Sequence, residues 1–243
     1  MLEGLYSAAA GMAAQQEQLN AISNDLANVS TSGYKSERVA FSDLLYNPIK
    51  AAGTETTAGA GASARVIGRS EAQGTLQETG NPLDLAIEGE GYFQVTRANG
   101  QKALTRDGTF GVDANGAIVN AEGNQLSPPI KLPAGVSAKE VTIAPDGTVT
   151  AGTTKLGQIK LVTVTSPEHL LADGGGELTT TAASGTPHPA TGKIHQGALE
   201  ASNVNVANAM AQMVSTQRNY QLTSTAIQDE SQMMSIANQL RTP

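Results

Sequence analysis

Residues 203–240 read NVNVANAMAQMVSTQRNYQLTSTAIQDESQMMSIANQL, and this stretch decides the fold. No Pro or Gly interrupts it. Val206, Met213, Tyr220, Ile227 and Met234 recur every seven residues. A seven-residue apolar period marks helices that pack lengthwise along one another, as in a coiled coil. The spacing predicts a helix over 203–240, roughly 57 Å long at about 1.5 Å per residue. Its second row is expected at Met210, Gln217, Ser224, Ser231 and Asn238, which are mostly polar. Arg218 is the one charge over 201–228. A helix with one apolar row, one amide row and almost no charge packs weakly as an isolated pair, so several partners are expected to cover it.

The other end of the chain has the same pattern. Leu5, Met12, Leu19 and Leu26 fall every seven residues, and Ala8, Gln15, Ile22 and Val29 repeat three places later. Residues 4–30 contain no Pro, and their only charges are Glu17 and Asp25. The remaining positions carry amides such as Gln16, Gln18, Asn20, Asn24 and Asn28, where a solvated helix carries Lys and Glu. Amides tolerate burial against a neighbour when hydrogen-bonded, without the desolvation cost of a full charge. The bland alternative is an amphipathic helix on a globular domain. The helix, about 40 Å long, should end near Ser30–Gly33, with Gly33 as a left-handed stop.

Between the helices the period changes. Residues 51–64, AAGTETTAGAGASA, have a linker composition: a tether, or an extended segment that orders on packing. From 65 to 196, turn signals come every eight to twelve residues. Leu83, Leu85 and Ile87 alternate with Asp84, Ala86 and Glu88, as in a half-buried strand. Gly89-Glu90-Gly91 turns the chain into Tyr92–Val95. Asp107-Gly108 predicts a hairpin between 103–106 and 109–112, Asp146-Gly147 one between 141–143 and 148–150, and Leu156–Val164 a further strand. The expected class is α+β: two long terminal helices forming a coiled-coil-like core domain, with an inserted antiparallel sandwich or partly closed barrel. The expected division is 1–46 helix and following loop, 47–64 linker, 65–196 β domain and 197–243 C-terminal helix.

Composition narrows the function. The net charge is −7 and no basic run is present, which argues against a nucleic-acid partner. There is no Cys, so disulfides and thiolate metal sites are excluded. No apolar run nears the roughly 18 residues of a membrane span. The N-terminus lacks the basic and continuous apolar regions of a Sec-type signal. Three Phe, five Tyr and no Trp imply a modest core. His188 and His195 lack a third ligand nearby and read as surface residues. Glu88 and Glu90 resemble a glycosidase pair only in residue type. They flank a Gly turn, and no aromatic cleft accompanies them. Gly89-x-Gly91 lacks the later Gly and helix of a dinucleotide site. Asn24, Asn28 and Asn203 read equally as local caps or as intersubunit amide bonds. No catalytic, cofactor or metal site is expected. The rival reading from another class is a cell-wall hydrolase or binding module.

Four blocks carry a family resemblance. Ala27-Asn28-Val29-Ser30-Thr31-Ser32-Gly33-Tyr34-Lys35 resembles the signature that follows the first helix of bacterial flagellar rod and hook proteins. Thr79-Gly80-Asn81-Pro82-Leu83-Asp84-Leu85-Ala86-Ile87, with Gly89-Glu90-Gly91-Tyr92-Phe93, resembles the second block, and Leu104–Phe110 the third. Gly197-Ala198-Leu199-Glu200-Ala201-Ser202-Asn203-Val204-Asn205, with Gln217-Arg218-Asn219-Tyr220, resembles the last. Leu222–Thr225 departs from it where the family often has Asn-Ser-Lys. Leu5–Met12 and Asp43–Tyr46 look most like the distal rod branch; Gly157–Val162 also suits the proximal one, and a hook-type subunit is a further alternative.

The resemblance implies an axial subunit of the basal body. Its terminal helices line the core of a hollow helical tube and its β domain forms the wall. The subunit is exported without a cleaved signal by the flagellar type III apparatus into the periplasmic, cell-wall zone. Partners so implied are copies of itself, neighbouring rod and hook subunits, the export apparatus and surrounding ring proteins, with no nucleic acid and no membrane insertion. Assembly falls to the two seams, and Asn28, Gly33, Tyr34, Asn81, Pro82, Asp84, Ser202, Asn203, Gln217 and Arg218 are the motif positions.

Overall fold

The computed structural model describes residues 2–51, 54–133 and 135–241. The fold is α+β and divides into two compact units. One comprises Met1–Ala27, Glu37–Ile67 and Asn205–Pro243; the other comprises Asn28–Ser36 and Gly68–Val204.

The first unit is built on α1 (Leu2–Ala27) and α2 (Val206–Arg241), of 26 and 36 residues. They lie side by side. Gly4 sits beside the Glu230 carboxylate, where a Cβ would stand 3.4 Å from it, so the helices run in opposite directions. The carboxylate at the first turn of α1 also suits the positive end of that helix dipole. On α2 the sheltered stripe is Ala209, Met213, Thr216, Tyr220, Thr223, Ile227, Glu230 and Met234, alternating steps of four and three. The row expected at Met210, Gln217, Ser224, Ser231 and Asn238 is displaced by one residue: Met210, Gln217 and Ser231 are exposed, Ser224 is half-buried, and the Asn238 side chain lies outside the described residues. Threonine succeeds in the sheltered row because its hydroxyl turns back on its own helix. Thr216 Oγ1 donates to Gln212 O at 2.8 Å and Thr223 Oγ1 to Asn219 O at 2.9 Å, leaving methyls for the seam.

On α1, Leu5, Met12, Leu19 and Leu26 are half-buried and Ile22 is buried. The other two fully covered positions are small, Ala14 and Ala21, which lets a neighbouring backbone come close. This first seam was expected to be covered by other subunits. Within the helical unit α2 already packs on α1, and the strand Glu37–Asp43 lies against α1 as well. That strand pairs with Ala62–Arg69. Gly61, at φ 100°, passes so near α1 that a Cβ there would stand 2.9 Å from Ser7 O. The segment read as a linker contains an antiparallel hairpin, Tyr46–Ala51 on Thr54–Gly59, in register from Tyr46↔Gly59 to Ala51↔Thr54. No helix of the described residues is long and apolar enough to cross a membrane.

The second unit is antiparallel β structure. Among the described residues its longest sheet runs without closing on itself through Leu171–Ala172, Glu177–Thr179, Lys102–Thr105, Tyr92–Thr96, Gln125–Leu126, Ile118–Asn120 and Phe110–Val112, with Leu161–Thr163 branching from Tyr92–Thr96. Val141–Ile143, Thr148–Ala151 and Thr154–Gln158 form a separate meander. The core gathers the inward residues of both sheets and of the strand Leu85–Glu88, including Leu85, Ile87, Phe93, Val95, Val149 and Ile194. With few aromatics, one edge-to-face pair is central: Phe93 and Phe110, ring centroids 5.2 Å apart.

Two sequence expectations differ here. The strands flanking Asp107-Gly108 do not pair with each other: Lys102–Thr105 joins Tyr92–Thr96 and Glu177–Thr179, while Phe110–Val112 joins Ile118–Asn120. Gly108 is held instead against Leu85, whose N–H donates to Gly108 O at 3.0 Å. The Asp107 side chain closes the bend by accepting from Thr109 N and Oγ1. The strand expected over Leu156–Val164 is broken between Gln158 and Leu161, where Ile159 N donates to Gly147 O. The Asp146-Gly147 hairpin forms as expected, with Asp146 accepting from Thr148 N and Oγ1.

Candidate functional site

Two arrangements stand out, each within one unit. The first is the face of α2 turned away from α1. At roughly 100° per residue, Met210, Val214, Leu222, Met233 and Ile236 fall on the side away from the sheltered stripe, and all five are exposed, Leu222 at 69%. The helix is thus apolar on two faces, and the described chain covers only one. Of the C-terminal seam residues, Met213, Tyr220, Ile227 and Met234 sit in the sheltered stripe, and Val206 continues that row but is exposed at the first residue of the helix; Gln217 and Arg218 are exposed. In the helical unit, Asn24 Nδ2 donates to Glu37 Oε1 at 3.0 Å, a local tie rather than a cap. The cap of α2 is Asn205, whose Oδ1 accepts from Asn208 N at 3.0 Å.

The second arrangement lies in the β unit and gathers the motif blocks. The strand Ala198–Glu200 has burial alternating inward, half, inward, so Glu200 points into the unit beside Ala198. Its side chain is fully buried. Glu200 Oε1 accepts from Lys35 Nζ at 2.5 Å and from Gly74 N at 2.9 Å; Oε2 accepts from Arg106 Nη1 at 3.2 Å. Lys35 Nζ also donates to Ala72 O, and Arg106 Nη2 to Gly89 O at 2.9 Å. The Arg106 guanidinium lies 5.3 Å from the centre of the Tyr92 ring, and Tyr92 Oη donates to Glu71 Oε2 at 2.8 Å. Burial pulls the Lys35 ammonium below its ordinary range, against the hydrogen bond and charge of Glu200. Burial, and then the Glu71 carboxylate, pushes the Tyr92 phenol well above its own.

The remaining motif residues brace this cluster or one nearby. Gly33 N donates to Glu200 O at 2.7 Å, Asn203 N to Tyr34 O, and Ser36 N to Asn203 Oδ1. Asn203 Nδ2 donates to Ser70 O and Ala72 O, and Ser202 Oγ accepts from Val204 N. Asn28 Oδ1 accepts from Thr31 Oγ1 as the chain leaves α1. Asp84, itself buried, accepts from Thr79 Oγ1 and Asn81 Nδ2, and Pro82 O accepts from Gln196 Nε2. The sequence reading has Lys35, Arg106 and Glu200 inside its motif blocks but does not single them out among the motif positions. The period-two alternation of Ala198-Leu199-Glu200 was the available signal, since it turns a glutamate inward beside an alanine.

Among the described residues no group of three or more His or acidic side chains is poised for a metal. Glu88 is tied to His195 Nε2 at 2.7 Å, both exposed, and that hydrogen bond holds its carboxyl below the usual range.

Comparison with known proteins fits this geometry. Residues 5–35 match the family described as flagella basal body rod protein, residues 86–151 the flagellar hook protein FlgE/F/G D1 domain, and residues 195–240 the flagellar basal body rod FlgEFG protein C-terminal. The chain is 38% identical to the flagellar basal-body rod protein FlgG of Buchnera aphidicola subsp. Acyrthosiphon pisum, covering 99% of the chain and 100% of the relative. It is 35% identical to that of Caulobacter vibrioides, again over 99% and 100%. To the flagellar basal-body rod protein FlgF of Caulobacter vibrioides it is 32% identical, over 91% and 90%. Lys35, Arg106 and Glu200 fall one in each of the three matched regions. The chain belongs to the flagellar basal-body rod protein family, of which it is a structural subunit.

Proposed function

We propose that the chain is the distal rod subunit and polymerises through its terminal helices into a hollow helical tube that transmits torque from motor to hook. The observation that carries this reading is the row of exposed apolar residues on the far side of α2, interrupted by the charges Arg218 and Asp229 and left open by the described chain. A soluble helix normally shows a polar outer face. An apolar one gains roughly 25 cal/mol for each Å² that a neighbouring subunit covers. Stacking one chain repeatedly by a single head-to-tail operation gives an open helix, hence a filament from one protein. In this proposal the terminal segments 1–46 and 197–243 form a coiled-coil-like core domain. Residues 65–196, a sandwich or partly closed barrel, form the wall, and 47–64 connect the two.

The subunit reaches the periplasmic, cell-wall zone through the flagellar export apparatus without a cleaved signal. Its neighbours there are other rod and hook subunits and surrounding ring proteins. Its work is mechanical, with no bond made or broken. Met213→Asp, in the sheltered stripe, or Leu19→Asp on α1 buries a carboxylate in the seam. Each is expected to abolish rods in isolated basal bodies viewed by electron microscopy, while the β unit stays folded by hydrogen exchange. Rods of normal length from either variant would refute the proposal.

A further inference from the structure

The chain passes between the units at 27/28, 36/37, 67/68 and 204/205, and the two crossing segments that adjoin the terminal helices, 28–36 and 197–204, are built into the β unit. They meet at Glu200. Each crossing supplies hydrogen-bond partners that the other lacks. Gly33 N needs Glu200 O, Asn203 N needs Tyr34 O, and Ser36 N needs Asn203 Oδ1. The side chains repeat the pattern with charge. Lys35 and Glu200, 165 residues apart in sequence, are 2.5 Å apart in space, and Arg106 from a third segment closes the cluster.

We propose that the Lys35–Glu200–Arg106 cluster is an interlock: the two crossings dock on the β unit together or not at all. The reason is the penalty on intermediate states. With only the first crossing docked, Lys35 and Arg106 are two buried cations whose one remaining facing carboxylate, Glu71, is held by Tyr92 Oη. With only the second docked, Glu200 keeps Arg106 and Gly74 N and Asn203 Nδ2 keeps Ser70 O and Ala72 O, but the Asn203 N–H and Oδ1 have lost Tyr34 O and Ser36 N. Buried charges and amides without partners are strongly disfavoured, so half-docked states are sparsely populated. The charged groups facing one another are Lys35, Arg106, Glu200 and Glu71, and the Arg69 charge also acts on Tyr92. The segment 28–36 follows directly on α1, which ends at Ala27, and 197–204 leads into α2, which starts at Val206.

Hydrogen exchange on the full chain tests the coupling. In Lys35→Met the Glu200–Arg106 pair is left charge-balanced, so folding of the unit is spared. Exchange at Ala201 and Asn203, on the crossing that was not altered, is expected to quicken on the order of a hundredfold. The strand Tyr92–Thr96 serves as reference and keeps its protection. In Glu200→Gln the reciprocal effect is expected at Gly33 and Ser36. Acceleration confined to the mutated crossing in Lys35→Met overturns the interlock, whatever Glu200→Gln does to folding.

Discussion

Gly33 and Gly100 form a matched pair for testing how closely the first crossing lies on the β unit. Both have left-handed backbones, at φ 68° and 80°. Each therefore costs about 1–2 kcal/mol when given a side chain. Their surroundings differ. A Cβ on Gly100 meets nothing within 4 Å, whereas one on Gly33 would stand 2.5 Å from Arg106 C and 2.7 Å from Arg106 O. Those neighbours are backbone and cannot swing aside. Either the loop lifts, breaking the Gly33 N to Glu200 O bond, or the strain is kept, at about 1–3 kcal/mol for overpacking. Gly100→Ala is thus expected to lower unfolding stability by about 1–2 kcal/mol and Gly33→Ala by roughly 2–5 kcal/mol. Urea denaturation followed by circular dichroism, with equal slopes in both variants, reads the difference directly. Equal losses at the two positions would refute the close approach and, with it, the packing on which the cluster rests.

Phe93→Ala removes a fully buried ring and its edge contact with Phe110, for an expected loss of about 3–5 kcal/mol in the same denaturation assay. Ala21→Leu forces a larger group into the covered side of α1 and should cost about 1–3 kcal/mol, seen as faster amide exchange along that helix with the β unit unchanged. Glu177 gives a pH dependence. Its burial raises the carboxyl pKa, but hydrogen bonds from Asn124, Arg97 and Asn120 outweigh that and hold it below 4.5. A carboxylate depressed on folding stabilises fully above its unfolded pKa, and that stability is lost as pH falls through the folded value. Thermal stability should therefore drop on acidification below pH 4.5, and Glu177→Gln should flatten that limb; an unchanged slope in the variant would contradict it.

The sequence by itself determined the elements that depend on local chemistry. Two long helices were legible because Pro and Gly are absent and a seven-residue period runs through them. The Asp146-Gly147 hairpin was legible because an Asx bend followed by a left-handed glycine closes two strands within ten residues. The motif blocks were legible as words, Asn28 to Lys35 and Gly197 to Asn205, and so was the family. Tertiary structure decided what those words do. Asp107-Gly108 has the same local signal as Asp146-Gly147, yet Leu85 captures its glycine and the flanking strands take other partners. Which α2 row faces α1 depended on one residue of helical phase, fixed by side chains of α1 that lie some 200 positions away in the chain. Glu200 looks like a surface charge in one dimension. It becomes a buried anchor because Lys35 and Arg106 arrive from distant segments to neutralise it, and no local pattern in the sequence records which distant charges will meet.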